Sequence, residues 1–183
     1  MLFDCRNHGE SDHHTLMNYS VMADDLIRLA DSLNIPKFSI LGHSMGGKIA
    51  MTTACKYPER VEGVISVDAA PIDYNNSPNY ISAILGITEK ISEYYIEGME
   101  RKELFNQMNE DFGNFMIANL IMKNVRIKGS KVLGWKSNIP VLVNNVEDIF
   151  DYEETGVYTG PIKCILAENS KFTIQDYKPM FPI

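Results

Sequence analysis

No apolar stretch of this 183-residue sequence approaches the roughly 20 residues that a membrane-spanning helix needs. The first residues, MLFDCRNHGESDHH, carry charges where a secretory leader would be apolar, and they do not read as a transit peptide. Cysteine is scarce: Cys5, Cys55 and Cys164 are far apart and odd in number, which excludes a disulfide framework and any thiolate metal spacing and points to free thiols. Positive charge is also short. The net charge is −7, and the basic residues read as scattered, with Arg126-Ile-Lys128 as a solvated loop, so a nucleic-acid surface is not expected. Finally, no histidine follows position 43; the four present are His8, His13, His14 and His43.

What remains is the composition of a globular chain, 45% hydrophobic and 22% charged, at the length of one ordinary domain. LFDC near the start reads as a short strand. Met22, Leu26, Leu29, Ala30 and Leu33 fall on one helical face, with Ser20 as N-cap, Asp24 and Asp25 in the early turns, and Asn34 and Pro36 at the close. FSIL then predicts a strand, a helix follows from Met45 to Lys56, and VEGVISVDAAP predicts another strand ending in Asp68. Strand alternating with helix in this order indicates a parallel sheet with crossover helices, an α/β fold. From Ile72 the text changes to a loop, DYNNSPNY, and then to helix formers rich in methionine and aromatics. GPIKCILAENS returns to strand character. The plan is a core over residues 1–71, a helical cap over 72–158 and a second core piece over 159–183.

Between the second strand and its helix stands GHSMG, a G-x-S-x-G pentapeptide. In that setting Gly42 and Gly46 allow a tight, strained turn that lifts the Ser44 oxygen clear of the sheet. The backbone N–H of Met45 then faces a developing oxyanion at the positive end of the helix. The competing reading is an ordinary strand-to-helix turn with a serine cap. A hydrolytic serine needs a base, and in this arrangement the order is serine, acid, histidine. His43 adjoins Ser44 but diverges from it at a sharp turn, while His13 and His14 sit in a polar loop. Asp68 is the favoured acid, at the C-terminal end of its strand, and Glu168 is the second candidate.

Taken in order, DCRNHGES, GHSMGGKIAM, PERVEGVISVDAAPIDY and GPIKCILAENSKF resemble the abhydrolase domain-containing protein 11 group and the bacterial YbfF-type esterases. The resemblance implies an α/β-hydrolase fold with a helical cap, here a partial one with a mostly parallel sheet, and hydrolysis of acyl or lipid-like carboxylic esters by Ser44. It implies no cofactor and no metal, and a mitochondrial location for eukaryotic members. Met45 matches the residue donating one oxyanion N–H, and Asp68 the aspartate proposed as acid in the bacterial relatives. An alternative acid of some animal members follows a Trp in the cap; Trp135 fits that Trp, but Pro140 stands at the nearby position. His8 belongs to the family's Arg-Asn-His-Gly loop, where a structural role is expected. The family's catalytic histidine lies beyond the segment matching KPMFPI, and the strands that open its sheet precede LFDC. The expectations are therefore a segment of a longer protein, a sheet closed differently, or a protein partner completing the sheet. Two further readings stay open: a catalytically inactive hydrolase-like module acting in binding, and a reversible binder of small molecules.

Overall fold

The computed structural model describes the backbone of residues 1–75 and 78–182, and the side chains of all of these but 78–84. Its elements are α1 (Tyr19–Ser32), β1 (Phe38–His43), α2 (Met45–Lys56), β2 (Val61–Val67), α3 (Pro78–Ser92), α4 (Arg101–Phe112), α5 (Phe115–Met122), β3 (Val125–Lys128), β4 (Lys131–Trp135), α6 (Ile139–Asn144), α7 (Val146–Phe150) and β5 (Ile162–Ile165). The chain divides into two compact units. One comprises Met1–Thr15 and Asn79–Val146; the other comprises Leu16–Pro78 and Glu147–Ile183.

The second unit is built on a parallel sheet in the order β1-β2-β5. Gly42 pairs with Ser66 and Ser66 with Cys164, while His43 pairs with Val67 and Val67 with Ile165. The three strands therefore end in step. α2 packs on β1 and β2 and is buried from Gly47 to Cys55, which its run of Gly, Ala and Thr permits without bulk. α1 packs on α2 through Met22, Ala23, Ile27 and Ala30. Leu33, expected on that face, is 47% exposed because the helix has already ended there. Asn34 turns away at φ 55°, and Asn18, not Ser20, is the N-cap: its side chain accepts from the Val21 N–H at 3.0 Å. Ser20 Oγ instead accepts from Lys56 Nζ at 2.8 Å.

The first unit has its own core, in which Ile91, Ile96, Leu104, Met108, Ile121, Met122, Val125 and Val132 pack together. β3 and β4 form an antiparallel hairpin, so Arg126-Ile-Lys128 is a strand and not the loop expected from its polarity. LFDC is not a strand. Leu2 is fully exposed, and the backbone oxygens of Asp4 and Cys5 accept from the Ser11 hydroxyl (2.6 Å) and the His8 N–H (3.0 Å), tying them into the following turn. Among the described residues no strand pairs with this run, and of its four residues only Phe3 is a favoured strand former, so little holds it extended. The loop expected over residues 73–80 lies partly outside the described residues, and from Pro78 the chain is helical. Among the described residues, no helix is long and apolar enough to cross a membrane.

Replacing Asn18 by Ala removes the cap of α1 and should lower stability by about 1 kcal/mol, a fall of roughly 2–4 °C in Tm for a chain of this size. A thermal melt followed by circular dichroism measures it.

Candidate active site

β1 delivers the chain to Ser44 at φ 52° and ψ −119°, a conformation that non-glycine residues avoid at a cost of about 1–3 kcal/mol. Neighbouring backbone enforces it. The Ser44 N–H donates to Val67 O at 3.0 Å, and the Ser44 carbonyl accepts from the N–H groups of Gly47 (2.9 Å) and Lys48 (3.1 Å). The turn closes so tightly that a Cβ on Gly42 would lie 2.0 Å from the Gly46 carbonyl oxygen. A Cβ on Gly47 would lie 2.8 Å from that of Ala69. A Cβ on Gly46 would meet nothing within 4 Å. Gly42 and Gly47 are thus the glycines the packing requires, and the part expected of Gly46 is carried by its backbone alone. Although Ser44 occupies the N-cap position of α2, its side chain makes no capping hydrogen bond, which leaves the hydroxyl uncommitted. Met45 opens α2, where the first N–H groups of a helix have no intrahelical acceptor.

Asp68 follows β2 as Ser44 follows β1. Its φ is 46°, its N–H donates to Ile165 O at 2.7 Å, and its Oδ1 accepts from the Ala167 N–H at 3.3 Å. The carbonyl of the next residue, Ala69, accepts from Ser66 Oγ (3.0 Å) and from the buried Tyr177 hydroxyl. Tyr74 Oη accepts from the Ala70 N–H at 2.9 Å. The loop bearing Asp68 is therefore pinned from three sides. Since β1, β2 and β5 end in register, Ser44, Asp68 and the segment leading to Glu168 leave the same C-terminal edge of the sheet. Glu168 is exposed one residue past the Ala167 contact.

The histidines do not join this group. His43 is exposed on the strand position that alternates with buried Gly42. His8, His13 and His14 lie in the other unit, where His8 Nδ1 is 3.1 Å from Arg6 O and the other two are exposed. Among the described residues no hydrogen bond links a histidine ring to Ser44, and no group of His, Cys, Asp and Glu could hold a metal.

One buried polar residue beneath the Ser44 turn escaped the sequence reading. Lys48, one turn into α2, is wholly buried. Its Nζ donates to the carbonyls of Phe150 (2.9 Å) and Asp151 (3.0 Å) and stands 3.5 Å from the centre of the Tyr74 ring, with the Tyr19 and Tyr152 rings at 5.3 and 5.8 Å. Burial lowers its pKa from the ordinary 10.5 to about 7, opposed by the Asp73 and Asp151 carboxylates. The carbonyl pair and the ring faces are acceptors that suit an ammonium. The sequence signal was slight: a lysine among the glycines, alanines, threonines and apolar residues that fill α2 as far as Cys55.

The family model of the alpha/beta hydrolase fold matches residues 1–137. The chain belongs to that family. Among its relatives, the sn-1-specific diacylglycerol lipase ABHD11 of Xenopus laevis is 30% identical over 186 residues, which cover 98% of this chain and 58% of the relative. Esterase YbfF of Escherichia coli (strain K12) is 28% identical over 177 residues, 96% of this chain and 65% of the relative. A solved structure described as a marine microorganism esterase superposes with a TM-score of 0.88 at 30% identity, covering 98% of this chain and 71% of its own. The chain thus spans between about half and two-thirds of the length of the curated relatives it matches.

Two outcomes test this geometry. Gly42→Ala should cost about 3 kcal/mol, because backbone must move to admit the methyl, whereas Gly46→Ala should be neutral or up to about 1 kcal/mol stabilising through reduced chain entropy. Chemical denaturation of both variants decides it. Lys48→Met leaves the Asp151 carbonyl without this donor and should cost about 1–3 kcal/mol near neutral pH. The folded pKa of Lys48 lies below the unfolded one, so the unfolded chain binds the extra proton between about 7 and 10.5 and this group's contribution to stability rises with pH there. The gap in Tm between wild type and Lys48→Met should accordingly widen from pH 7 to pH 9.

Proposed function

We propose that this chain is the nucleophile-bearing part of a serine hydrolase acting on acyl esters. The observation that carries the reading is Ser44 itself: a strained, left-handed backbone at the tip of a strand-to-helix turn, with its hydroxyl free of any capping role. A turn that served only to start a helix would use the serine oxygen as the cap and would not hold a disfavoured φ. The relatives named as a diacylglycerol lipase and as esterases point to a carboxylic ester with an acyl chain as substrate.

In this reading Ser44 Oγ attacks the ester carbonyl carbon as its proton passes to a histidine imidazole. The carbonyl oxygen becomes an oxyanion that accepts from the Met45 N–H at the N-terminus of α2. Collapse of the tetrahedral species breaks the carbon–oxygen bond of the leaving alcohol, which takes the proton, and water then releases the acid from Ser44 by the reverse sequence. Asp68 orients the imidazole, and the rigid loop around it supports that task. The histidine comes from outside these 183 residues, since none follows Ser44. Residence in mitochondria belongs to the same proposal and rests on the family resemblance alone.

A second reading keeps the fold and discards the chemistry: a hydrolase-like module that binds and does not turn over. The absence of a histidine bonded to Ser44 among the described residues favours it for this polypeptide by itself. Loss of the base alone costs on the order of 10⁶ in turnover in a serine hydrolase.

A fluorophosphonate probe separates the two. Labelling of the chain that disappears in Ser44→Ala is expected if the elbow is assembled and activated, and Asp68→Asn should then slow it strongly. A folded chain that takes no label, alone or in a cell extract supplying a missing segment, would leave the binding-module reading standing.

A further inference from the structure

Five of the 17 basic residues lie in one stretch that holds no acidic residue. From Phe112 to Val146 there is no Asp or Glu, while Lys123, Arg126, Lys128, Lys131 and Lys136 fall in that stretch; all 24 acidic residues lie outside it in a chain of net charge −7. These residues form α5 and the β3–β4 hairpin of the first unit. On α5, Phe115, Met116, Asn119 and Leu120 make up the outward arc, and the three apolar members are 64%, 79% and 61% exposed. The inward arc, Ala118, Ile121 and Met122, is buried in the unit's core. On the hairpin, Arg126, Lys128, Lys131 and Leu133 are exposed, and the register sets Lys128 directly against Lys131. Like charges facing one another across a strand pair are unfavourable, and of these two Lys131 has the Glu100 carboxylate at 2.9 Å while Lys128 has no ion-pair partner among the described residues.

The two elements meet around a groove of about 500 Å³. Phe105, Phe115 and Met122 supply apolar wall, and Arg101 and Lys102 stand at its rim beside the turn residues Gly129 and Ser130. Two carboxylates engage this surface: Glu100, which also lines the groove, pairs with Lys131 at 2.9 Å, and Glu10 lies 3.8 Å from Arg126. Lys102, Lys123 and Lys128 have no ion-pair partner among the described residues.

We propose that this face of α5 and the β3–β4 hairpin docks on an anionic lipid bilayer. Protruding Phe, Met and Leu side chains flanked by Lys and Arg match what an interface of acyl chains beneath negative headgroups requires, apolar insertion at the centre and phosphate-level cations around it. A patch of this kind on an otherwise acidic molecule also sets orientation, because the remaining surface is repelled by the same headgroups. A second copy of the chain would bring two such cationic faces together, so charge complementarity selects the lipid surface over self-association.

Co-sedimentation of the full chain with vesicles tests this. Retention is expected on phosphatidylcholine vesicles containing phosphatidylglycerol, but not on phosphatidylcholine alone. It should fall as salt is raised, because exposed charges are screened. Lys102→Glu with Lys128→Glu should weaken retention roughly tenfold or more, and Met116→Ser with Leu120→Ser by a similar factor. All four side chains are exposed, so the fold should survive, and the salt series on the unaltered chain reads the same property without a variant. Equal retention on both vesicle types, no retention of the folded chain, or undiminished retention of both double variants would overturn the proposal. So would sedimentation showing a dimer that Met116→Ser with Leu120→Ser dissolves.

Discussion

The structure turns on the closeness with which the start of α2 lies against the ends of β1 and β2. That closeness exists because Gly42 and Gly47 present no Cβ where Gly46 and Ala69 approach. Everything at the sheet's C-terminal edge follows. Ser44 is forced to a left-handed φ, its hydroxyl is turned away from capping, and the N–H groups of the first helical turn open toward the same space. Strain of this kind persists only when surrounding bonds over-determine it. Here the hydrogen bonds of Ser44 with Val67, Gly47 and Lys48 supply that excess. Asp68 repeats the device one strand along, with a positive φ held by Ile165 and Ala167. Asp visits positive φ in turns more readily than most residues, so of the two Ser44 is the greater departure.

How much of this was legible in the sequence varied with how local the cause was. FSIL, VEGVISVDAAP and GPIKCILAENS read as strand because a buried strand needs only a short apolar run, the observed strands being FSILGH, VEGVISV and IKCI, and the α/β-hydrolase family reading is borne out. The tight turn at Ser44 was legible because glycine spacing around a serine is a local signal. LFDC misled, since strand formation depends on a neighbour that composition cannot display, and here its carbonyls are spent on a turn. The α1 cap was misplaced by two residues, because Asn18 and Ser20 are both good caps and the contest was decided by Lys56, distant in sequence, which engages Ser20. The hairpin at residues 125–135 was hidden by its charges: a strand with one face in solvent reads as a loop when that face is Arg and Lys.

Lys48 was illegible for the most instructive reason. Nothing in GHSMGGKIAM says whether its lysine points to water, and the cage that receives it comes from Tyr19, Tyr74 and the carbonyls of Phe150 and Asp151. A methionine would fill the same space without desolvating a charge, but it would bring no donor to the Asp151 carbonyl. What methionine lacks is direction. The ammonium fixes two carbonyls and one ring face at once, and those groups lie just before and just after the long stretch that separates residues 75 and 147. Its own backbone N–H bonds the Ser44 carbonyl, so the helix turn beneath Ser44 and the two roots of the insertion share one anchoring side chain. An apolar core would hold these segments together with some freedom to slide; the buried cation sets where they stop. If Ser44 Oγ is the attacking atom, as proposed, a fixed anchor beneath it serves the placing of that oxygen, which such chemistry requires to within a fraction of an ångström.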